Sequence, residues 1–256
     1  MTTLLIVLGV LAAYMTLLFV VSLALRNNGV ADVGYGGAFI VVITAAAFLM
    51  PPTSTGILGL MLLPFVWGTR LVLRIYHKNL GKPEDFRYKA WRDAWGSNFM
   101  LRSFLQVYML QGLVVFVVSL PVLLSIVFPS LIHKELAFVG GCIWLVGFFF
   151  EAVGDYQLDR FIANPANKDQ IMMSGLWHYT RHPNYFGESC MWWGIAIASA
   201  GMNTVPVLGF VSPILITFRL LKVSGVPLLE ARWAGNPVWE EYKKKTSLFI
   251  PMRSAR

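Results

Sequence analysis

The sequence predicts an all-α fold, a polytopic seven-helix bundle that spans a membrane, and three observations carry that prediction. Of its 256 residues, 57% are drawn from Ala, Val, Ile, Leu, Met, Phe, Trp, Tyr and Cys and only 13% are charged, whereas a soluble chain carries about 25% charged residues. The mean hydropathy is +0.63, and apolar runs recur near the ~20 residues that one bilayer-spanning helix needs. The basic residues fall between those runs and collect on one side. This composition excludes a disordered chain, a disulfide scaffold and a coiled coil. Cys142 and Cys190 both sit in apolar runs and read as small buried hydrophobes.

The first run, 4–25, has no basic residue ahead of it and Arg26 directly after it, which fits a signal anchor entering N-terminus first rather than a cleaved leader. The next, 36–50, is short for a bilayer, so tilt, local thinning or burial in the bundle makes up the difference. Runs at 57–75, 104–128 and 137–153 follow, then a second short one at 187–202 and a last one at 205–221. Seven spans with the N-terminus outside leave 26–35, 76–103, 154–186 and 222–256 on the cytoplasmic side, together with the C-terminus. Of the 21 Lys and Arg, only Lys134 then lies outside, as the positive-inside rule requires, and an even number of spans breaks the separation. The acidic residues divide the same way, Glu135 alone lying outside. Orientation needs no carboxylates, so this doubly charged cytoplasmic face reads as the working face.

The whole of 1–256 reads as one integral membrane domain, with no internal repeat, low-complexity tract or soluble linker domain. The loops 76–103 and 154–186 are long for plain connections. In the first, Trp91 and Trp95 beside Lys89 and Arg92 fit interface anchors and a cofactor-facing wall equally well. The Lys243-Lys244-Lys245 run has a plain role in attraction to anionic lipid.

Common cofactor signals are missing. Gly34, Gly36 and Gly37 form no GxGxxG after a strand, and no GxxxxGK[ST] occurs. His77, His133, His178 and His182 are scattered, and Pro183 disfavours the helix on which His178 and His182 would share a metal; no metal site is expected. What remains is the dense segment from Glu151 to Glu188, EAVGDYQLDRFIANPANKDQIMMSGLWHYTRHPNYFGE. Glu151 and Asp155, four residues apart, share one helix face, with Arg160 and Arg181 as available counter-ions; this is either an ion-pair network at a helix end or part of a site. Arg181-His182-Pro183-Asn184-Tyr185 joins a fixed cation, hydrogen-bonding side chains, an aromatic face and a rigid turn. That assembly suits a large polar ligand with anionic groups and flat rings, Arg forking onto phosphate and Tyr179 or Tyr185 stacking on a ring. Glu188 enters a span, where an ionisable group marks function by default.

The string GLWHYTRHPNYFGE, with EDFRY at 84–88, DYQLDRF at 155–161 and LFIP at 248–251, resembles the steroid 5-alpha-reductase family, and more closely its bacterial branch, long labelled a domain of unknown function. Asp32-Val33-Gly34-Tyr35-Gly36 resembles an early Asp-x-x-aromatic-Gly feature of that branch. Sterol C14 reductases share the RHPNY segment, and isoprenylcysteine carboxyl methyltransferases an RHPxY segment, so the string fixes the superfamily better than the reaction. The resemblance implies a seven-helix bundle holding NADPH among its cytoplasmic ends. Asp155, Asn184 and Glu188 match cofactor-gripping positions, Tyr179 lies beside them, and Arg70 and Lys82 match across a gap. Arg160, Lys168 and Arg181 join them as phosphate partners by charge and location. The adjacent Gln-Glu pair and the Tyr with which the steroid enzymes hold the substrate carbonyl are absent, Trp67 standing at the Tyr position.

The expected reaction is hydride transfer from NADPH to the C=C bond of a conjugated enone in a lipidic substrate, a 3-oxo-delta-4 steroid or related sterol or isoprenoid entering from the bilayer. The developing oxyanion needs a donor aimed at it in a dry site. Asp32, held protonated by its apolar surroundings, and Tyr35 fit that catalytic role, while Asp32 also fits an ordinary N-cap of the second helix. A multi-pass protein of a bacterial inner membrane, with its site at the cytoplasmic face and no nucleic-acid partner, follows. Two alternatives stand: an S-adenosylmethionine-dependent methyltransferase of a lipidic acceptor, supported by RHPxY with Glu230 and Tyr242, and a transporter, which calls for ionisable groups deep in several helices rather than at one face.

Overall fold

The computed structural model describes residues 1–130 and 133–252; 131–132, in a loop expected outside, and 253–256, at the end of the segment 222–256, lie outside the described residues. The helices are α1 (Thr2–Leu25), α2 (Gly29–Leu49), α3 (Thr55–Asn79), α4 (Phe86–Trp95), α5 (Phe99–Arg102), α6 (Leu110–Val127), α7 (Lys134–Ala163), α8 (Pro183–Ala200), α9 (Pro206–Gly209), α10 (Val211–Phe218), α11 (Val226–Ala231) and α12 (Pro237–Lys245). A π turn at Ser103–Met109 joins α5 to α6, and a second, Arg219–Val223, ends α10. The fold is all-α: among the described residues extended backbone pairs only at two isolated bridges, Pro129 with Asn203 and Thr180 with Ser247.

Among the described residues six helical stretches are long and apolar enough to cross a membrane: Thr2–Leu25, Gly29–Leu49, Thr55–Asn79, Phe86–Val127, Lys134–Ala163 and Pro206–Ala231. They give the chain the character of a multi-pass membrane protein. The run expected at 187–202 is helical, as α8, but is not among them. The reason is compositional: Asn184, Glu188, Ser189 and Ser199 dilute its apolar residues, and Met191, Trp192, Ile195 and Ala196 are each 1% exposed. A helix enclosed by protein need not be apolar on the side that lipid would see.

Two helices also reach beyond their apolar runs. α2 begins at Gly29 rather than near 36, which places Asp32 and Tyr35 inside it. α7 continues ten residues past 153, because nothing in GDYQLDRFIA breaks a helix before Asn164-Pro165.

The chain packs as two compact units, Met1–Ala137 with Ser199–Gly209, and Phe138–Ala198 with Phe210–Arg256. In the first, α2 packs against α1, α3 and α6. Its crossing with α3 is close because both helices present glycine: a Cβ on Gly36 would lie 2.6 Å from the Gly68 carbonyl oxygen, and one on Gly68 2.7 Å from that of Gly36. In the second, the same device is repeated at heptad spacing. Gly140, Gly147 and Gly154 of α7 face Gly194, Gly187 and the Pro183-Asn184 start of α8 in turn, so two backbones meet along a 3.5-residue seam, which small residues permit.

Candidate functional site

The end of that seam in the second unit gathers the polar residues of the Glu151–Glu188 segment. Glu151 and Asp155 lie one turn apart on α7 and are 4% and 3% exposed. Because Gly154 leaves room for the first turn of α8, Asn184 Nδ2 reaches Asp155 Oδ1 and donates to it at 3.1 Å. Trp177, on the short turn Gly175–His178, donates its indole N–H to the Gly154 carbonyl at 3.1 Å. Gln157 Oε1 accepts from Leu176 N–H at 2.9 Å. The 174–182 segment is thus pinned to α7 by side chains of α7 and by its own tryptophan.

The other side of the segment is held by the C-terminal residues. Arg181 N–H donates to the Ser247 carbonyl at 2.9 Å, and Met252 N–H to that of Tyr179 at 3.0 Å. The Thr180 hydroxyl, 0% exposed, donates to the Phe249 carbonyl at 2.9 Å. Tyr242 donates to the Trp177 carbonyl, and burial pushes its phenol above the ordinary tyrosine range. Arg181 itself is spent on this architecture: Nε donates to Glu230 Oε1 at 2.9 Å, and Nη1 to the carbonyls of Thr246 and Lys243 at 2.9 and 3.2 Å. The guanidinium expected to fork onto phosphate instead ties α8's entry to α11 and α12.

His182, 2% exposed, lies against Glu230 Oε1 through Nε2 at 3.0 Å and stacks on the Tyr185 ring at 5.4 Å and 10°. Its Nδ1 and the Asn184 Oδ1 are buried with no hydrogen-bond partner among the described residues. Leaving such an atom unmet costs about 1–3 kcal/mol, so each of these two acceptors, two residues apart at the start of α8, calls for a donor that the described residues do not supply. NADPH fits that demand, since its carboxamide and ribose hydroxyls are donors. In this unit Arg160 and Lys168 are exposed. Arg160 Nη1 donates to Tyr156 of its own helix at 3.1 Å. Tyr179 is 45% exposed, its ring set edge-on to His178, and Glu188 is half-buried on the second turn of α8.

The remaining expected residues belong to the first unit. Arg70 is half-buried on α3, and Lys82 is exposed in the turn before α4. Asp32 is neither the N-cap of α2, which is Asn28, nor bonded to Tyr35. Its Oδ1 accepts from the Tyr88 hydroxyl at 2.7 Å and its Oδ2 from Arg87 Nη2 at 3.1 Å. Both carboxylate oxygens are thus engaged by side chains of α4. Tyr35 packs edge-on against Phe39 at 5.3 Å and Trp67 at 6.4 Å. A second carboxylate, Glu84, accepts Asn28 N–H and Arg92 Nη2, each at 2.8 Å. Burial works upward on Asp85, but the hydrogen bonds and charge of Arg87 outweigh it and hold its carboxyl below the usual range. Tyr88 and Arg87 stand in the EDFRY string that carried the family resemblance, yet nothing in their spacing from Asp32 announces the contact. The contact of Glu230 with Arg181 and His182 spans 49 and 48 residues, and no local motif announces it.

Residues 18–246 match a family described as protein of unknown function, DUF1295. The chain belongs to this family. The family lies in the steroid 5-alpha-reductase-like superfamily, the superfamily that RHPNY suggests. No curated protein and no solved structure matches the chain.

Proposed function

We propose that this member of the family is a membrane-embedded NADPH-dependent reductase that delivers hydride to the C=C bond of a conjugated enone in a lipidic substrate, a 3-oxo-delta-4 steroid or a related sterol or isoprenoid. The observation that carries the reading is the pair of buried, unmet acceptors, His182 Nδ1 and Asn184 Oδ1, on the RHPNY segment of a chain whose superfamily is that of the steroid reductases. In this reading the bundle has seven spans, with α8 as an interior seventh, and the site faces the cytoplasm of a bacterial inner membrane. NADPH, when bound, supplies the hydride.

The chain's own residues bind and orient. Asn184, held by Asp155, and His182, held by Glu230, accept ligand donors. Glu188, Tyr179 and Tyr185 line the same stretch of sequence, and Arg160 and Lys168 are exposed cations of the same unit that suit phosphate. In the first unit the Asp32 carboxylate holds the phenol of Tyr88 rather than that of Tyr35. A protein mostly contributes position and electrostatics to such chemistry.

A specific observation favours one competing reading. Glu230 and Tyr242, the two residues that support S-adenosylmethionine chemistry, both hold the RHPNY segment and its approach, Glu230 at Arg181 and His182 and Tyr242 at the Trp177 carbonyl. Thermal unfolding of the detergent-purified protein with NADPH, NADH or S-adenosylmethionine separates the two, because a ligand bound only by the folded state stabilises it, by about 2.7 kcal/mol at a hundredfold excess over Kd. The reductase reading expects stabilisation by NADPH that is lost in Asn184→Ala; stabilisation by S-adenosylmethionine alone overturns it.

A further inference from the structure

Glu230 meets His182 through a single oxygen, and that oxygen is doubly engaged: Oε1 accepts from Arg181 Nε at 2.9 Å and faces His182 Nε2 at 3.0 Å. Arg181 is in turn anchored on the carbonyls of Thr246 and Lys243, and the imidazole ring is fixed in plane by its stack on Tyr185. Turning the His182 ring over keeps the stack but takes Nε2 away from Glu230 Oε1, so the contact fixes which edge faces the carboxylate. A carboxylate oxygen only accepts, so the ring nitrogen that faces it carries the proton. With Nε2 protonated, a neutral imidazole leaves Nδ1 as a bare lone pair. A doubly protonated ring would instead bury an Nδ1–H with no acceptor among the described residues, on a residue only 2% exposed.

We propose that Glu230 is a positioning residue that locks His182 in its Nε2–H tautomer, so that buried Nδ1 is an acceptor matched to Asn184 Oδ1, and the site selects a ligand by its hydrogen-bond donors. Asn184 is locked by the same logic from the other side: its Nδ2 donates to Asp155 Oδ1 at 3.1 Å, which commits Oδ1 to accepting. Two carboxylates on different helices, Asp155 on α7 and Glu230 on α11, thus set the polarity of two side chains at the entry to α8, His182 and Asn184, to the same sign. Resting on the reductase reading, the donor is the primary amide of the nicotinamide. A ligand that replaces that amide by a group without N–H leaves the acceptors unmet, the case in which built sites discriminate most strongly.

The test begins with the ligand-free protein. Ring-nitrogen NMR of 15N-histidine-labelled wild type, which has four histidines, with His182→Gln to assign the signal, is expected near neutral pH to give His182 a protonated Nε2 and an unprotonated Nδ1. A protonated Nδ1, in either the other tautomer or the imidazolium, overturns the proposal. In Glu230→Gln the tautomer preference is expected to relax, since an amide presents either a donor or an acceptor to Nε2; should that variant not fold, the wild-type spectrum alone decides.

The ligand arm compares NADPH with its 3-acetylpyridine analogue, which keeps the carbonyl and loses both amide N–H donors. Wild type is expected to bind the analogue about tenfold or more weakly, and equal binding of the two overturns the selection by donors. If neither nucleotide binds while His182 shows the Nε2–H tautomer, the lock stands and the reductase reading falls.

Discussion

Gly147 and Gly141 lie six residues apart on α7, and the same substitution at each has opposite consequences. A Cβ at Gly147 would sit 2.6 Å from the Gly187 carbonyl oxygen, 2.7 Å from Met191 N and 2.8 Å from Met191 Cγ. Ordinary contact starts at 3.4 Å, so the methyl group intrudes by about 0.8 Å on backbone atoms that no rotamer change can move. Overpacking costs about 1–3 kcal/mol even where side chains can yield; with backbone on both sides the upper end applies, about 3 kcal/mol. At Gly141 a Cβ meets nothing within 4 Å, and alanine there gains about 0.5–1 kcal/mol from helix propensity.

The predicted gap between Gly147→Ala and Gly141→Ala is therefore about 4 kcal/mol, close to three decades in the folding equilibrium. Unfolding of both variants in mixed micelles, followed by the near-ultraviolet signal of the tryptophans, measures it directly. Equal midpoints for the two variants would refute the close seam between α7 and α8. They would also remove the reason Asn184 reaches Asp155.

The Asp32 cluster makes two further predictions. Tyr88→Phe deletes the 2.7 Å hydrogen bond to Asp32 and is expected to lower stability by about 1–3 kcal/mol, with faster amide exchange confined to α4; exchange no faster than in wild type would contradict the tether. Asp85 has its folded-state pKa held below the ordinary value, so its contribution is present above about pH 4 and is lost as pH falls through the depressed value. Acid titration followed by exchange at the first turn of α4 should therefore show loosening only below that range, and loosening between pH 5 and 7 would place the cause elsewhere.

Membrane character and the positions of most helices were legible because apolar runs survive any tertiary arrangement. The ends were not, since polar helix such as GDYQLDRFIA looks like loop until the absence of a breaker is weighed. α8 was legible as a helix but not as an apolar one, for its surroundings are protein. The glycine seam was open to reading: Gly140, Gly147 and Gly154, and Gly187 and Gly194, stand at intervals of seven, a period that a search for GxxxG passes over. Partner choice was hidden. Asp32 finds Tyr88 across 56 residues and Arg181 finds Glu230 across 49, and the arginine that opens RHPNY looks the same in sequence whether it grips phosphate or backbone carbonyls. The segment that carries the site was identified from its density of chemistry; the sign of each hydrogen bond within it needed coordinates.

The most direct test of the central claim follows the hydride itself. The protein, reconstituted in vesicles with enone lipids, is supplied with NADPH deuterated on the transferable face of the nicotinamide, and the extracted lipids are weighed by mass spectrometry. The account predicts a saturated product that carries one deuterium on the carbon β to the carbonyl, formed by wild type and lost in Asn184→Ala. Unchanged enones with the deuterated NADPH intact, alongside a methyl group gained by a lipid when S-adenosylmethionine is supplied instead, would contradict it.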